Sequence, residues 1–186
     1  MLYLVGGTSR SGKTMIVRSI LKQRGIAYLS LDWIVMGFTN GMPECEIHDK
    51  LFPDEIATRL RKFLEAMCEN MLWTGEDYVI EGEAILPESA KSILDGNSGR
   101  AIACFLGYSD IKVEEKVKET KTYSTGDRDW LMNESDETIH QHIENMVEYS
   151  RKLKGQCSQH DVPYFDTSAN FMTAIEQATE YLFSGS

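Results

Sequence analysis

The sequence contains no apolar run long enough to cross a bilayer, and no repeat or low-complexity tract. Positive charge is scarce. Nineteen lysines and arginines stand against 29 aspartates and glutamates, a formal net charge of −10 over 186 residues. That balance argues against nonspecific binding to nucleic acid or to an anionic membrane, both of which need a basic face. Cysteine is sparse as well. Cys45, Cys68, Cys104 and Cys157 are widely scattered, with no C-x-x-C pair and no histidine at finger spacing. Reduced thiols in a cytoplasmic protein are therefore expected. His48, His140, His142 and His160 lack the spacing of a zinc site, and are expected to be ordinary surface residues. The first apolar run begins at Leu2 and reads as a strand, so no signal peptide is expected. What is present is an ordinary globular composition, 42% apolar and 26% charged, long enough for one buried core. A single domain over residues 1–186 is expected.

The organising stretch is Gly7-Thr8-Ser9-Arg10-Ser11-Gly12-Lys13-Thr14. It follows the apolar run Leu2 to Val5 and opens an amphipathic segment from Met15 to Arg24. The order is strand, glycine-rich turn, helix, and the turn fits G-x-x-x-x-G-K-[ST] at every fixed position. Gly7 and Gly12 let the backbone curl so that successive N–H groups point into one concavity. The new helix adds the positive end of its dipole, which favours a polyanion. Lys13 supplies a mobile ammonium for the β- and γ-phosphates, and the Thr14 hydroxyl is placed to ligate Mg²⁺ beside them. The pattern predicts a nucleoside triphosphate site made by residues 7–14, with Met15 at its edge.

The remaining chain alternates strands and helices. Helix signals run from Gly12 to about Gln23, with Ile16, Val17, Ile20 and Leu21 as the buried face. A second strand, Ala27 to Leu31, runs into Asp32. Residues 33–52 hold Gly37, Gly41 and Pro43, and predict a loop with short helical pieces. Pro53 and Asp54 start a long helix that Gly75 ends. Strands are predicted at Tyr78 to Gly82, Ala101 to Leu106 and Val162 to Asp166. Helices are predicted at Pro87 to Leu94, from Ser109 or Asp110 to about Lys121, from Ser135 towards Gln159, and from Phe171 to Phe183. Five strands alternating with helices predict an α/β fold, a parallel sheet with helices on both faces. Active residues then belong at the carboxyl ends of the strands.

In layout the chain resembles the P-loop kinases of small metabolites and nucleotides, among them the adenylate, shikimate and gluconate kinases, chloramphenicol phosphotransferase and the zeta-toxin type. The residues that carry the resemblance are Gly7, Gly12, Lys13, Thr14, Asp32 after strand two, Glu81 after strand three and an arginine-bearing segment late in the chain. It implies a five-stranded parallel sheet in spatial order 2-3-1-4-5. It also implies an acceptor-binding helical region at about 33–75, a mobile lid at about 120–135, and use of ATP with Mg²⁺ and a small-molecule acceptor.

In such kinases an acid in the position of Asp32 holds or deprotonates the acceptor hydroxyl; Asp32 is also suited to cap a helix starting at Trp33. Glu81 occupies the place of the acid that serves Mg²⁺, although a glutamate stands where aspartate is usual, and Glu83 follows two residues later. A lid cation is needed for charge developing on the transferred phosphoryl. Arg128 is the first candidate, ahead of Lys121 and Arg151, and Arg10 is a further phosphate contact. For the acceptor pocket the candidates are Trp33, Met36, Phe38 and one of Arg59 and Arg61, which do not share a helix face. The turn Asp166 to Asn170 is the position at which similar kinases cradle adenine. Guanine specificity is not expected, because no Asn-Lys-x-Asp follows strand four and Glu81-Gly82 stands in place of an Asp-x-x-Gly switch. The expected activity is phosphoryl transfer from Mg-ATP to a small acceptor by a monomer or homodimer. A nucleotide-binding regulatory protein with weak or no transfer is the alternative.

Overall fold

A computed structural model describes residues 1–124 and 129–184. Within them, five strands form one parallel sheet: β1 (Leu2–Gly7), β2 (Ala27–Ser30), β3 (Tyr78–Gly82), β4 (Ala101–Gly107) and β5 (Tyr164–Asp166). The spatial order is β2-β3-β1-β4-β5, as the resemblance implied. Seven helices connect and follow the strands: α1 (Lys13–Arg24), α2 (Leu31–Gly41), α3 (Pro53–Thr74), α4 (Pro87–Gly96), α5 (Val113–Thr122), α6 (Asp136–Gln159) and α7 (Phe171–Ser184).

The centre of the sheet is buried on both faces, which is why its strands read as unbroken apolar runs. Side chains nevertheless alternate. Leu2 and Leu4 of β1 enter a core shared with α2, α3 and α4, while Tyr3 and Val5 enter the opposite core with α1 and α7. A third cluster gathers Tyr108, Leu131, Ile139 and Ile143 around the start of α6. On α1, Ile16, Val17 and Ile20 are buried as predicted, but Leu21 turns to solvent.

The clearest departure from the sequence reading lies in 31–41. Those residues form a continuous helix, and β2 stops at Ser30. Gly37 and Gly41 each cost a helix about 1 kcal/mol relative to alanine. That cost is outweighed because Leu31, Val35 and Phe38 recur at helical spacing and pack into the core. A 3₁₀ turn at Pro43–Cys45 and irregular chain to residue 52 follow.

The glycine-rich turn leaves β1, the central strand, between β3 and β4. Gly7 has φ 140°, and a side chain there would strike the Leu106 carbonyl of β4. Gly12 has φ 97°, and a Cβ would lie 2.4 Å from Ile175 of α7. Both glycines are thus required by conformation and by close approach of a neighbouring element. Replacing Gly12 by alanine should cost about 1–2 kcal/mol from the left-handed backbone alone, with a further loss as α7 shifts. Urea unfolding would show a lowered midpoint; an unchanged midpoint would contradict this account of the turn.

Candidate active site

The glycine-rich turn is clamped from three sides. Its Thr8 hydroxyl lies 3.1 Å from that of Ser150 on α6. The same Ser150 oxygen accepts from the Tyr108 backbone N–H at 3.0 Å. The Tyr108 hydroxyl donates to the Ser9 carbonyl at 2.8 Å. Inside the turn, the Thr8 carbonyl accepts from the Ser11 hydroxyl at 2.8 Å and from Lys13 Nζ at 2.7 Å. Lys13 is 6% exposed, and its ammonium also stands 4.0 Å from Glu83 Oε1.

Two glutamates act on this ammonium, and Asp32 lies close enough to act on both of them. Glu81, at the end of β3, is 3% exposed and hydrogen-bonds to the Ser30 side chain. Burial pushes its carboxyl above the ordinary value, against the pull of Lys13. Glu83 is raised for the same first reason, with Lys13 and the Ser9 hydroxyl lowering it and Asp32 raising it. Asp32 is exposed in the first turn of α2, where the helix dipole favours its negative charge.

Two clefts flank the turn. The first, about 760 Å³, is bounded by Ser9, Asp32, Glu83 and Ala84, by the 49–53 turn and the start of α3, and by Trp130, His142 and Met146. The second, about 640 Å³, is bounded by Arg10, Gly12 to Met15, Lys116 and Phe171. Residues of one loop therefore line both cavities, and Thr14 is exposed into the second.

Several expected residues are held by other partners or fall outside the clefts. Arg10, at φ 58°, makes a two-pronged pair with buried Asp129. Hydrogen bonds from that guanidinium hold the Asp129 carboxyl below the usual carboxylate range. Lys121 pairs with Asp136, and Arg151 donates to the Ser109 carbonyl at 3.0 Å. Arg59 is held by Glu46, and Arg61 by Glu65 and Glu88; neither lines a cleft. Trp33 is 62% exposed, and Phe38 packs edge-on against Phe63. Of the five apolar and arginine acceptor candidates, Met36 alone lines the first cleft. Arg128 lies outside the described residues.

Two residues at the clefts carried no motif. Lys116 of α5 is 5% exposed, with Nζ 4.3 Å from the centre of the Tyr108 ring, and burial lowers its pKa. Its signal was helical spacing on the buried side of α5, with Val113 and Val117 partly buried beside it. His142 stacks edge-on with Trp130 at 5.2 Å, and its Nε2 is buried without a partner among the described residues. Burial, aided by the charge of Arg10, lowers its pKa. It continues the stripe of Ile139 and Met146, which a surface assignment overlooked.

No protein-family model matches the chain, and no curated protein matches its sequence. Solved structures do. A shikimate kinase from Bacteroides thetaiotaomicron is similar over 98% of this chain and 98% of its own, with TM-score 0.54 and 12% identity. A gluconokinase from Sinorhizobium meliloti is similar over 99% and 96%, with TM-score 0.54 and 15% identity. The YorR protein of Bacillus subtilis, solved with phosphorylated GDP, is similar over 99% and 96%, with TM-score 0.56 and 12% identity. The fold is that of the P-loop small-molecule kinases. Identity this low carries the fold and nothing of the substrate.

The raised carboxyl of Glu83 has a measurable consequence. Its folded pKa lies above the ordinary 4.5, so ionisation in the folded state is unfavourable and stability falls as pH rises through that folded value. Below the ordinary value the carboxyl is protonated in both states and its contribution vanishes. Glu83→Gln should therefore melt higher than the parent near pH 8, the gap closing towards pH 4. A variant that melts lower at pH 8 would contradict the desolvated, carboxylate-rich centre.

Proposed function

We propose that the protein is a Mg-ATP-dependent phosphotransferase that moves the γ-phosphoryl group to a hydroxyl or phosphate of a small molecule. The observation that supports this reading most strongly is the paired clefts. A nucleotide switch needs one cavity at its phosphate loop, whereas group transfer needs a donor and an acceptor cavity meeting at the same loop. Here Ser9 borders one, and Arg10 and Gly12 to Met15 border the other, with Asp32 and Glu83 at the first.

The residues fall into roles by position. Residues 7–15 cradle the triphosphate through backbone amides and the start of α1. Lys13 exchanges the Thr8 carbonyl for phosphate oxygens and neutralises charge on the travelling group. Asp32 orients the acceptor hydroxyl and takes its proton. Bound Mg²⁺ supplies positive charge beside the phosphates. The Thr14 hydroxyl and the Glu81 carboxylate are hard oxygen donors suited to it, and a carboxylate raised by burial gains from a neighbouring cation. Arg128 is the proposed lid cation, within a proposed lid at about 120–135, and the proposed acceptor region is about 33–75.

Asp32→Asn tests the assignment. Transfer to the acceptor should fall by roughly 10²–10⁴ as general-base assistance is lost. Affinity for Mg-ATP, read by calorimetry, should stay within about twofold, because Asp32 borders the other cleft. Equal loss of binding and transfer would count against the role.

A further inference from the structure

The first cleft has a charge that discriminates among acceptors. Four carboxylates line it, Asp32, Asp49, Glu83 and Glu134, against one described lysine or arginine, Lys50. Glu83 has Lys13 at 4.0 Å. Asp32, Asp49 and Glu134 have no ion-pair partner among the described residues, and Asp49 and Glu134 come from two separate segments, the turn before α3 and the approach to α6. The helix beside the cleft does carry arginines, but Arg59 and Arg61 are turned onto acids outside it.

A second feature is independent of the acids. Phe52 and Trp130 are large aromatic side chains left 55% and 59% exposed, and both border this cavity. Aromatic faces in a carboxylate-lined cleft attract a cation or the polarised C–H face of a polyol. His142, edge-on to Trp130, brings a shielded and unpartnered Nε2 to the same wall. Its lowered pKa favours the neutral ring, which adds no positive charge to the cleft.

We propose that the acceptor is a cationic alcohol, an amine-bearing polyol such as an aminosugar or aminocyclitol, and not a carboxylate or phosphate ester. This rests on the phosphotransferase reading and specifies its substrate class. The ammonium group pairs with Asp49 and Glu134, the ring lies against Phe52 and Trp130, and the reacting hydroxyl is delivered to Asp32. A carboxylate acceptor would meet an excess of like charge at the same positions.

The test uses the full chain with Mg-ATP and three acceptor sets matched in size: aminosugars and aminocyclitols, the neutral sugars and cyclitols, and the corresponding sugar acids. Radiolabelled phosphoryl transfer and calorimetric binding are read for each. The amine set should exceed the neutral set by about tenfold or more in kcat/KM, as expected for one charge-assisted contact, with the acids lowest. The double variant Asp49→Asn, Glu134→Gln, two exposed side chains whose folding is checked by its melting midpoint, should level the amine and neutral sets. Equal treatment of the three sets, preference for the acids, or no binding of any amine overturns the proposal. Transfer to an acid overturns this proposal alone and leaves the phosphotransferase intact. Failure of Mg-ATP to bind at all would instead remove the phosphotransferase reading on which it rests.

Discussion

One buried ammonium holds the centre of this protein together. Lys13 Nζ is shared between the Thr8 carbonyl of its own loop and the Glu83 carboxylate, with Glu81 and Asp32 close enough to perturb the same titrations. Neither Glu81 nor Glu83 is comfortable as a charge; burial raises both, and Lys13 opposes the shift in both. Removing a charge from water is costly, so a site that keeps several half-compensated acids around one cation is strained electrostatically in the absence of a further cation. Such a centre costs stability.

The fold supplies the rigidity that this arrangement demands. A turn whose conformation depends on Gly7 and Gly12 would be loose in isolation. Here β4 closes against the first and α7 against the second. Ser150 of α6, 142 residues further along the chain than Thr8, ties Thr8 and Tyr108 together. Arg10 is fixed by Asp129, so the loop is also joined to the segment that leads into α6. The glycine-rich loop is thus tied to distant parts of the chain through short polar contacts.

Much of this was legible in the amino-acid order, and the reasons are local. Gly7 to Thr14 are read directly because the chemistry of the turn is contiguous. The strands β1, β3 and β4 are read from apolar runs, since burial on both faces leaves no polar alternation to confuse them. The 31–41 helix was obscured by Gly37 and Gly41, whose propensity penalty is overcome by tertiary packing that no local rule contains. Residues of the first cleft were harder still. Phe52, Trp130 and His142 come from three separate segments and meet only after folding, whereas Arg59 and Arg61, which look suited to an anion, are drawn away by Glu46, Glu65 and Glu88. Lys116 and Ser150 carry no motif, because a buried lysine over a ring and a serine under a loop are defined by what they touch.

The central claim is that Lys13 and the amides around it grip a triphosphate. Isothermal calorimetry of the parent protein and of Lys13→Ala, each titrated with Mg-ATP, tests it most directly. The account predicts saturable binding by the parent and a loss of about tenfold or more in the variant, as for removal of a charge-assisted contact. Identical titrations for the two proteins, or no heat from either, would contradict it.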